Sequence, residues 1–387
     1  MHSKKFIKII DASKLRNLNK SDEIPIKEFK DDFILDNMGR QLTDLRISLI
    51  DKCNFRCSYC MPKSVFNKNY RYLKDNQMLS FSEIILLVKA FATLGVEKIR
   101  LTGGEPLLKK NIEKLVSEIN LIKTTKNLPI EIALTTNGTL LKKKARDLFN
   151  AGLKRVTVSL DSIDQKIFES MSDSKFKVGK VLKGIEHAVN IGLNVKINMV
   201  VKKGINENQI LPMATYFKNR AIPLRFIEFM DVGSTNAWRP EKVVTSKEIV
   251  KILQQNYGIR YIGRDNVNEV SERWRYEDDQ SEVGLISSVS KPFCSNCSRA
   301  RISADGFLYT CLFSSYGNDL KPLIRAVNYL DEKKFMDQNL ELIQALTNKI
   351  AMIWGKRQDQ YSNLRYLNSG YTSNTKKQKI EMSYIGG

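Results

Sequence analysis

Six short apolar runs alternate with amphipathic helical stretches from residue 44 onward, and this alternation limits the fold more than any other feature of the sequence. It predicts βα units and a parallel sheet. In the first interval, Ser80 and Glu83 match a capping box and Gly95 supplies a stop, so a helix is expected between them. The six runs are DLRISLI from 44, KIRLTGGE from 98, EIALTTNG from 131, RVTVSLD from 155, NVKINMVV from 194 and LRFIEFMDVG from 224.

Small and polar residues lie at the carboxyl ends of these runs. Periodicity alone leaves a doubly wound sheet and an incomplete barrel open. Barrel enzymes build their sites at the carboxyl ends of the strands, so the position of these residues favours the barrel. The residues are Gly103 to Glu105, Thr135 to Gly138, Ser159, Asp161, Asn198, Glu228 and Met230.

All six cysteines fall into two groups of three. A chain of 387 residues with six cysteines and no secretory signal lacks the cysteine density of disulfide-stapled domains. Metal binding is the alternative, but structural zinc sites usually have four ligands, and neither His2 nor His187 lies beside a group. A four-iron cluster on three thiolates keeps one iron free to bind another molecule. We refer to Cys53, Cys57 and Cys60 as the first trio and to Cys294, Cys297 and Cys311 as the second trio.

The charge and hydropathy of the chain limit its partners and location. The formal net charge is +21, which favours an anionic partner such as a nucleotide, a nucleic acid or an acidic surface, although solvated lysines account for much of it. Without a run of about 18 apolar residues, a water-soluble protein with no membrane partner is expected. The basic N terminus lacks a secretory signal, so we expect a cytoplasmic location, with a mitochondrial transit segment as the alternative.

The first trio lies in CNFRCSYC, a C-x3-C-x2-C loop with an aromatic residue, Tyr59, before its last cysteine. This loop resembles the cluster loop of radical S-adenosylmethionine (SAM) enzymes. The resemblance implies a partial (βα)6 barrel, a [4Fe-4S] cluster on the first trio and SAM bound at its free iron. It also implies that Tyr59, Gly104 of the GGE motif, Ser159 and Met230 contact SAM.

The second trio has the spacing C-x2-C-x13-C, and three cysteines again indicate a cluster with a free iron, here able to touch a substrate. Arg299 and Arg301 stand two residues apart and so point the same way on a strand, and guanidinium groups suit bidentate phosphate binding. Other basic residues lie within predicted strands, where burial without an anion is costly. Together they predict a cationic cavity large enough for a triphosphate. These residues are Arg46, Arg100, Lys196 and Arg225.

From about residue 37 to residue 387 the sequence resembles the GTP 3',8-cyclase family of molybdenum cofactor biosynthesis. The resemblance implies that a 5'-deoxyadenosyl radical abstracts the C3' hydrogen of GTP and that the ribose radical attacks C8 of guanine. One electron and one proton then complete (8S)-3',8-cyclo-7,8-dihydro-GTP. The matching stretches are GRQLTDLRISLIDKCNFRCSYCMP, GGEPLL, LTTNG, VSLD, RFIEFMDVG, FCSNCSRARISADG and the terminal YIGG.

The same resemblance assigns further roles to residues and partners. It implies a second [4Fe-4S] cluster that holds the guanine edge and a C-terminal tail, ending in Gly386 and Gly387, that reaches into the active site. Arg299, Arg301, Gly386 and Gly387 are the expected catalytic residues. Expected partners are GTP, an external electron donor, a second copy of the chain in a homodimer, and cyclic pyranopterin monophosphate synthase, which receives the product. The expected substrate-binding residues are Arg46, Arg100, Thr135, Lys196, Arg299 and Arg301.

The expected fold class is α/β, an incomplete (βα)6 TIM-type barrel with a smaller C-terminal α+β region that carries the second cluster. We expect an unassigned extension over residues 1–36, the radical SAM barrel over 37–234 and the auxiliary-cluster region with its Gly-Gly tail over 235–387.

Two other classes of protein remain open from the residues alone. One is an iron-sulfur electron-transfer protein without catalysis, which would not need the GGE turn, Ser159 or a phosphate-sized set of cations. The other is a zinc-stapled RNA-binding protein, for which basic residues interleaved with aromatic ones on a sheet surface would be expected. The sequence shows no such stripe, so no nucleic-acid partner is expected.

Overall fold

The computed structural model describes residues 33–266, 269–278, 281–326, 332–367 and 378–386. Most of the predicted extension 1–36, and Gly387, lie outside these residues. The strands are β1 Asp44–Ser48, β2 Lys98–Thr102, β3 Glu131–Thr136, β4 Arg155–Ser159, β5 Asn194–Val201, β6 Leu224–Glu228, β7 Ile259–Gly263, β8 Glu272–Tyr276, β9 Glu282–Ile286, β10 Arg299–Ile302, β11 Phe307–Tyr309 and β12 Asn318–Asp319.

The helices lie between and after these strands. In the first half of the chain they follow the strands one for one or in pairs, as the alternation predicts. They are α1 Phe81–Thr93, α2 Ile112–Asn120, α3 Leu141–Asn150, α4 Gln165–Ser172, α5 Val178–Asn190, α6 Ile210–Lys218, α7 Ser246–Gln254, α8 Lys321–Ile324, α9 Glu332–Gly355, α10 Tyr361–Leu367 and α11 Met382–Ile385.

Strands β1 to β6 are parallel neighbours in sequence order, as the six apolar runs predict. The helices pack outside this half-barrel, and the strand residues that face them are apolar. In β5, for example, Ile197 and Met199 are buried towards the helices, whereas Asn198 and Val200 line the interior. The predicted fold class, an α/β partial barrel of six parallel strands, is confirmed.

The C-terminal strands extend both edges of the half-barrel. Strand β10 pairs in parallel with β1, and β9 pairs in parallel with β6. Antiparallel β11 and β12 continue one edge, and antiparallel β8 and β7 continue the other. The predicted boundary at residue 235 stays a prediction, but strands from beyond it complete the sheet on both sides.

Local signals in the sequence fix the ends of α1. The Ser80 hydroxyl accepts a hydrogen bond from the amide of Glu83 at 3.2 Å, and the Glu83 carboxylate accepts one from the Ser80 amide at 2.7 Å. Gly95 follows the helix in the left-handed region with φ 93°. The predicted capping box is therefore present. Among the described helices, none is both long enough and apolar enough to cross a membrane.

A buried carboxylate anchors the carboxyl end of β6. Glu228 is fully buried and accepts hydrogen bonds from the amide of Ser246, at the start of α7, at 2.7 Å and from the amides of Val289 and Ser290 at 2.8 Å. The three amides donate hydrogen bonds to the charged carboxylate. These bonds replace the water that the carboxylate loses on burial and so offset the cost of burying it. Glu228, named above as a polar strand end, therefore joins three segments.

Candidate active site

The first trio lies in the loop that follows β1, at the carboxyl end of the half-barrel. A tight turn shapes this loop, because the amides of Cys60 and Met61 both donate to the carbonyl of Cys57, at 3.0 and 2.9 Å. The amide of Phe55 and the side-chain amide of Asn137 donate to the sulfur of Cys53, at 3.4 and 3.8 Å. Backbone and amide donors therefore point at a sulfur, as they do around metal-bound thiolates.

The GGE turn supports the first trio from beside it. The amides of Gly104 and Glu105 donate to the carbonyls of Ile50 and Lys52, at 2.7 and 2.9 Å. A Cβ on Gly104 would lie 2.3 Å from the Lys52 carbonyl oxygen, and one on Gly103, whose φ is +139°, would lie 2.4 Å from that of Ile50. Only glycine permits this close approach of two backbones.

Glu105, the acid of the GGE motif, is fully buried and already bonded within the protein. Its carboxylate accepts hydrogen bonds from the Thr136 hydroxyl and the Asn137 amide, both at 2.7 Å, and from the Leu107 amide at 3.0 Å. Burial raises the pKa of Glu105 to about 7 despite these bonds. Glu105 therefore links the ends of β2 and β3, and the glycines of the motif stay open to the cavity.

Tyr59, the aromatic residue of the cysteine loop, is tied to the end of β4. Its hydroxyl donates to the Asp161 carboxylate at 2.7 Å, and the amide of Val200 donates to the other Asp161 oxygen at 2.9 Å. Burial raises the pKa of Asp161 to about 6 against the effect of these two bonds. The sequence placed Asp161 among the strand ends but gave no sign of its partner.

The second trio lies at the opposite, amino end of the strands. Strand β10 starts two residues after Cys297, and the Ser298 carbonyl accepts from the amides of Thr43 and Asp44, at 3.1 and 3.2 Å. Cys297 is therefore level with the start of β1. Cys311 follows β11, which runs antiparallel to β10, and so returns to the same end. The sequence did not predict that the second trio lies at the amino end of the strands, because the edge pairing of β10 with β1 has no local signal.

A single cavity of about 310 Å³ connects the two trios through the half-barrel. All six cysteines line it, together with most of the residues that the sequence singled out. Lys196 is an exception and does not line the cavity. The predicted site residues that do line it are Arg46, Tyr59, Arg100, Gly104, Thr135, Ser159, Met230, Arg299 and Arg301.

Between the trios the wall of the cavity is strongly cationic. In the sheet register Arg46 of β1 lies beside Arg100 of β2 on one side and Arg301 of β10 on the other. The three arginines therefore form a row across three neighbouring strands. Burial, and then repulsion from Arg301, Arg299 and Arg100, lowers the pKa of Arg46 well below its usual range. Burial and Arg299 lower that of Arg301 to about 10.

These guanidinium groups have unused donors. The Nε atoms of Arg46, Arg100 and Arg301 are buried and have no hydrogen-bond partner among the described residues. Arg100 otherwise donates to the hydroxyls of Thr135 and Thr157, at 3.2 and 3.3 Å. Buried donors without partners are costly, so this arrangement suits an anion that enters the cavity.

The charged groups around Cys53 and Cys297 differ, although burial, and then Asp359, raises the pKa of Cys311 in the second trio to about 11. Burial, and then Glu105, raises the pKa of Cys53 to about 11. At the second trio burial also opposes ionisation, but Arg299 and Arg357 lower the pKa of Cys297 to about 6. No three His, Cys, Asp or Glu side chains of the described ranges are placed to hold a single metal ion.

The C-terminal tail reaches the same cavity. Met382 and Ser383 of α11 line it, and Gly386 is buried with φ +78°. A Cβ on Gly386 would lie 2.3 Å from Cγ2 of Thr102, at the end of β2. Gly386 itself does not line the cavity, and the expectation that the tail enters the active site stays a prediction. The matching expectation for Gly387 lies outside the described residues.

Two family models match the chain. The model described as the radical SAM superfamily matches residues 47–217, and the one described as Molybdenum Cofactor Synthesis C matches residues 222–362. Between them they cover both trios and the strands that extend the sheet.

Curated bacterial proteins are similar over nearly their whole length. The GTP 3',8-cyclase of Staphylococcus epidermidis is 46% identical over 355 residues, which are 92% of this chain and 99% of that protein. The GTP 3',8-cyclases of Staphylococcus haemolyticus and Staphylococcus aureus are 42% and 43% identical over the same shares of the chains.

Solved structures show the same fold at low identity. Streptococcus suis SuiB bound to S-adenosylmethionine is 14% identical with a TM-score of 0.53, covering 87% of this chain and 70% of SuiB. SuiB bound to the precursor peptide SuiA is 14% identical with a TM-score of 0.54, covering 85% and 68%. At this identity the likeness concerns the fold alone.

We predict that Gly104→Ala prevents stable iron binding at the first trio. The new Cβ would overlap the Lys52 carbonyl and push the cysteine loop away from β2. After anaerobic reconstitution, iron per chain should fall by about half, to about four, as expected for the loss of one of two four-iron clusters. Gly179→Ala is the matched control, because nothing lies within 4 Å of its Cβ and the position is in α5. Full iron content in Gly104→Ala would contradict the prediction.

Proposed function

The chain belongs to the GTP 3',8-cyclase family of radical SAM proteins, and from that premise we propose that it converts GTP to (8S)-3',8-cyclo-7,8-dihydroguanosine 5'-triphosphate, the first step of molybdenum cofactor biosynthesis. The observation that carries the proposal is one cavity with a cysteine trio at each end and unpartnered guanidinium donors between them. An electron-transfer protein needs no such chamber, and a zinc staple needs no such pair of three-donor sites.

We propose that the residues present fit two [4Fe-4S] clusters and SAM. The donors are thiolates, three per site, and the glycines of the GGE turn leave room beside the first trio. When bound, SAM and the first cluster supply an organic radical that removes a hydrogen atom from the substrate. Tyr59, Gly104, Ser159 and Met230 would contact SAM, since all four line the cavity at the end where the first trio lies.

The protein's own part in the reaction is to bind, orient and exclude water. We propose that Arg46, Arg100, Arg299 and Arg301 bind the triphosphate and that the Thr135 hydroxyl assists, so that C3' of the ribose faces the first trio. Lys196 is kept as a binding residue on the family resemblance alone, because it does not line the cavity. The buried tail at Gly386 closes the wall near Thr102 and keeps water from the reacting carbon.

Other parts of the proposal rest on the family resemblance alone. They are catalytic roles for Arg299, Arg301, Gly386 and Gly387, an external electron donor, a homodimer, and transfer of the product to cyclic pyranopterin monophosphate synthase. A cytoplasmic location is proposed from the N-terminal sequence, which lacks a secretory signal.

A direct test of the function is anaerobic incubation of the reconstituted protein with GTP, SAM and a chemical reductant. Chromatography with mass detection should show a new nucleotide peak that has the mass of GTP but a different retention time, because the hydrogen lost from C3' is replaced by one gained on the guanine ring. Methionine and 5'-deoxyadenosine should form alongside it. Unchanged GTP, under conditions in which SAM is cleaved, would contradict the substrate assignment.

We predict that Cys294→Ala ends cyclisation but leaves part of SAM cleavage. The substitution removes a sulfur at the amino end of the barrel, distant from the loop that carries the first trio. Chromatography of the reaction should show 5'-deoxyadenosine without cyclic product. Cys57→Ala is the comparison and should end both reactions, since it removes a sulfur of the first trio. Wild-type amounts of cyclic product from Cys294→Ala would refute the role of the second trio.

We predict that Arg301→Ala weakens binding of GTP more than binding of guanosine. A lost charge-assisted hydrogen bond costs about 1.5 to 3 kcal/mol, which is roughly a 10- to 100-fold rise in Kd. Equilibrium binding under anaerobic conditions measures both ligands. Arg146→Ala, on the exposed side of α3, is the control and should change neither. Equal weakening of GTP and guanosine would count against a triphosphate site at Arg301.

A further inference from the structure

Three buried charged residues lie behind the second trio. The sequence motifs did not predict that these residues contact one another or the trio. Asp36 and Arg40 both precede β1, and Arg357 follows α9. Their side chains are 0%, 2% and 1% exposed. One Asp36 oxygen accepts from Arg40 Nε at 2.6 Å and from Arg357 Nη1 at 3.2 Å. We refer to Asp36, Arg40 and Arg357 as the charged frame.

The outer donors of the frame bond to the main chain at the second trio. Arg40 Nη1 donates to the Cys294 carbonyl at 2.9 Å, and Arg357 Nη1 donates to the Cys297 carbonyl at 2.7 Å. Arg357 Nε donates to the carbonyl of Thr310, the residue before Cys311, at 3.1 Å. All three cysteines are therefore fixed by this frame, through their own carbonyl or that of the preceding residue.

Further contacts lock the frame in place. Arg40 Nη1 also donates to the Asp359 carbonyl at 2.7 Å, and the Thr310 hydroxyl donates to the Asp359 carboxylate at 2.6 Å. The Arg357 guanidinium lies over the Trp354 ring, 4.5 Å from its centroid, and the Trp354 indole donates to the Arg40 carbonyl at 3.1 Å. The Cys294 turn is only a three-residue 3-10 helix, so these charged bonds supply rigidity that the local backbone lacks.

The first trio is held differently. Its loop has the tight turn at Cys57 and the GGE strand end beside it, and one partly buried arginine, Arg56, donates to the Cys53 carbonyl at 2.7 Å. The second trio instead draws its support from segments before β1 and after α9, which are 321 residues apart in the sequence at Asp36 and Arg357. A substitution in the charged frame should therefore disturb the second trio and leave the first trio unchanged.

We propose that Asp36, Arg40 and Arg357 are positioning residues that hold the second cysteine trio in the arrangement that binds its iron-sulfur cluster. The frame acts through the main chain of the cysteines and does not itself supply a ligand to iron. This inference rests on the second cluster of the proposed function but not on GTP as the substrate.

The test uses full-length chains in which Cys53, Cys57 and Cys60 are replaced by Ala, so that only the second trio can bind a cluster. With the frame intact, anaerobic reconstitution should give about four irons per chain. Arg357→Gln in this background should bind less than half as much. Arg325→Gln is the matched control, because Arg325 also bonds a carboxylate, Glu83, and two main-chain carbonyls, but away from both trios.

Arg357→Lys separates geometry from charge and keeps the test usable if Arg357→Gln does not fold. Lysine retains the charge, but its single nitrogen cannot reproduce the fork that reaches both the Cys297 and Thr310 carbonyls. We expect iron to bind with an altered electron paramagnetic resonance spectrum of the reduced cluster. A purely structural role would lower thermal stability and leave the spectrum of the bound cluster unchanged.

In the chain with all six cysteines, Arg357→Gln should lose about half of its iron and keep SAM cleavage. Full iron with an unaltered spectrum in both Arg357 variants would overturn the inference, as would loss of SAM cleavage in step with iron. If the background with an intact frame binds no iron, the proposed second cluster fails, and this result is distinct from failure of the frame.

Discussion

The structure depends on the burial of several guanidinium groups inside a half-barrel without enough protein anions to pair with them. Arg46, Arg100 and Arg301 lie side by side on three neighbouring strands, and each has a buried Nε without a partner among the described residues. Such a row costs folding free energy, because like charges repel and desolvated donors stay unsatisfied. Apolar packing of the strands against the helices must offset that cost, and a bound polyanion removes it. The core of the barrel is thus built for a ligand rather than for its own stability.

Sheet topology explains how two distant cysteine groups come to share one cavity. The first trio follows β1 and so lies at the carboxyl end of the parallel strands, as in other barrel sites. In the second trio, Cys294 and Cys297 precede β10 and Cys311 follows the antiparallel β11. Because β10 is parallel to β1, all three lie at the amino end of the parallel strands. The chamber therefore runs along the strands instead of opening only at their carboxyl ends, and a long substrate can contact both trios at once.

The sequence predicted those features whose chemistry is local. The six strands, the capping box of α1 and the cysteine spacings all have signals within short stretches of sequence, and strand alternation predicted that Arg299 and Arg301 point the same way. Contacts between remote segments had no such signal. The edge pairing of Arg46 with Arg301 and the shared carboxylate of Asp36 join residues about 250 and 320 apart. Alternation also could not tell whether a long side chain such as Lys196 ends at the cavity wall.

Cys297 stands apart from the other trio cysteines whose pKa is shifted, because nearby guanidinium groups favour its thiolate. Near the first trio the buried carboxyls of Glu105 and Asp161 oppose ionisation of the thiols, and burial, and then Glu105, raises the pKa of Cys53 to about 11. Near Cys297 they include the guanidinium groups of Arg299 and Arg357, and the pKa of Cys297 is lowered to about 6, whereas burial and Asp359 raise that of Cys311 to about 11. Cations that stabilise the Cys297 thiolate would also attract a nucleotide phosphate. On the proposed function, the triphosphate of GTP would lie towards these cations, and the GGE turn beside the first trio would be left to SAM.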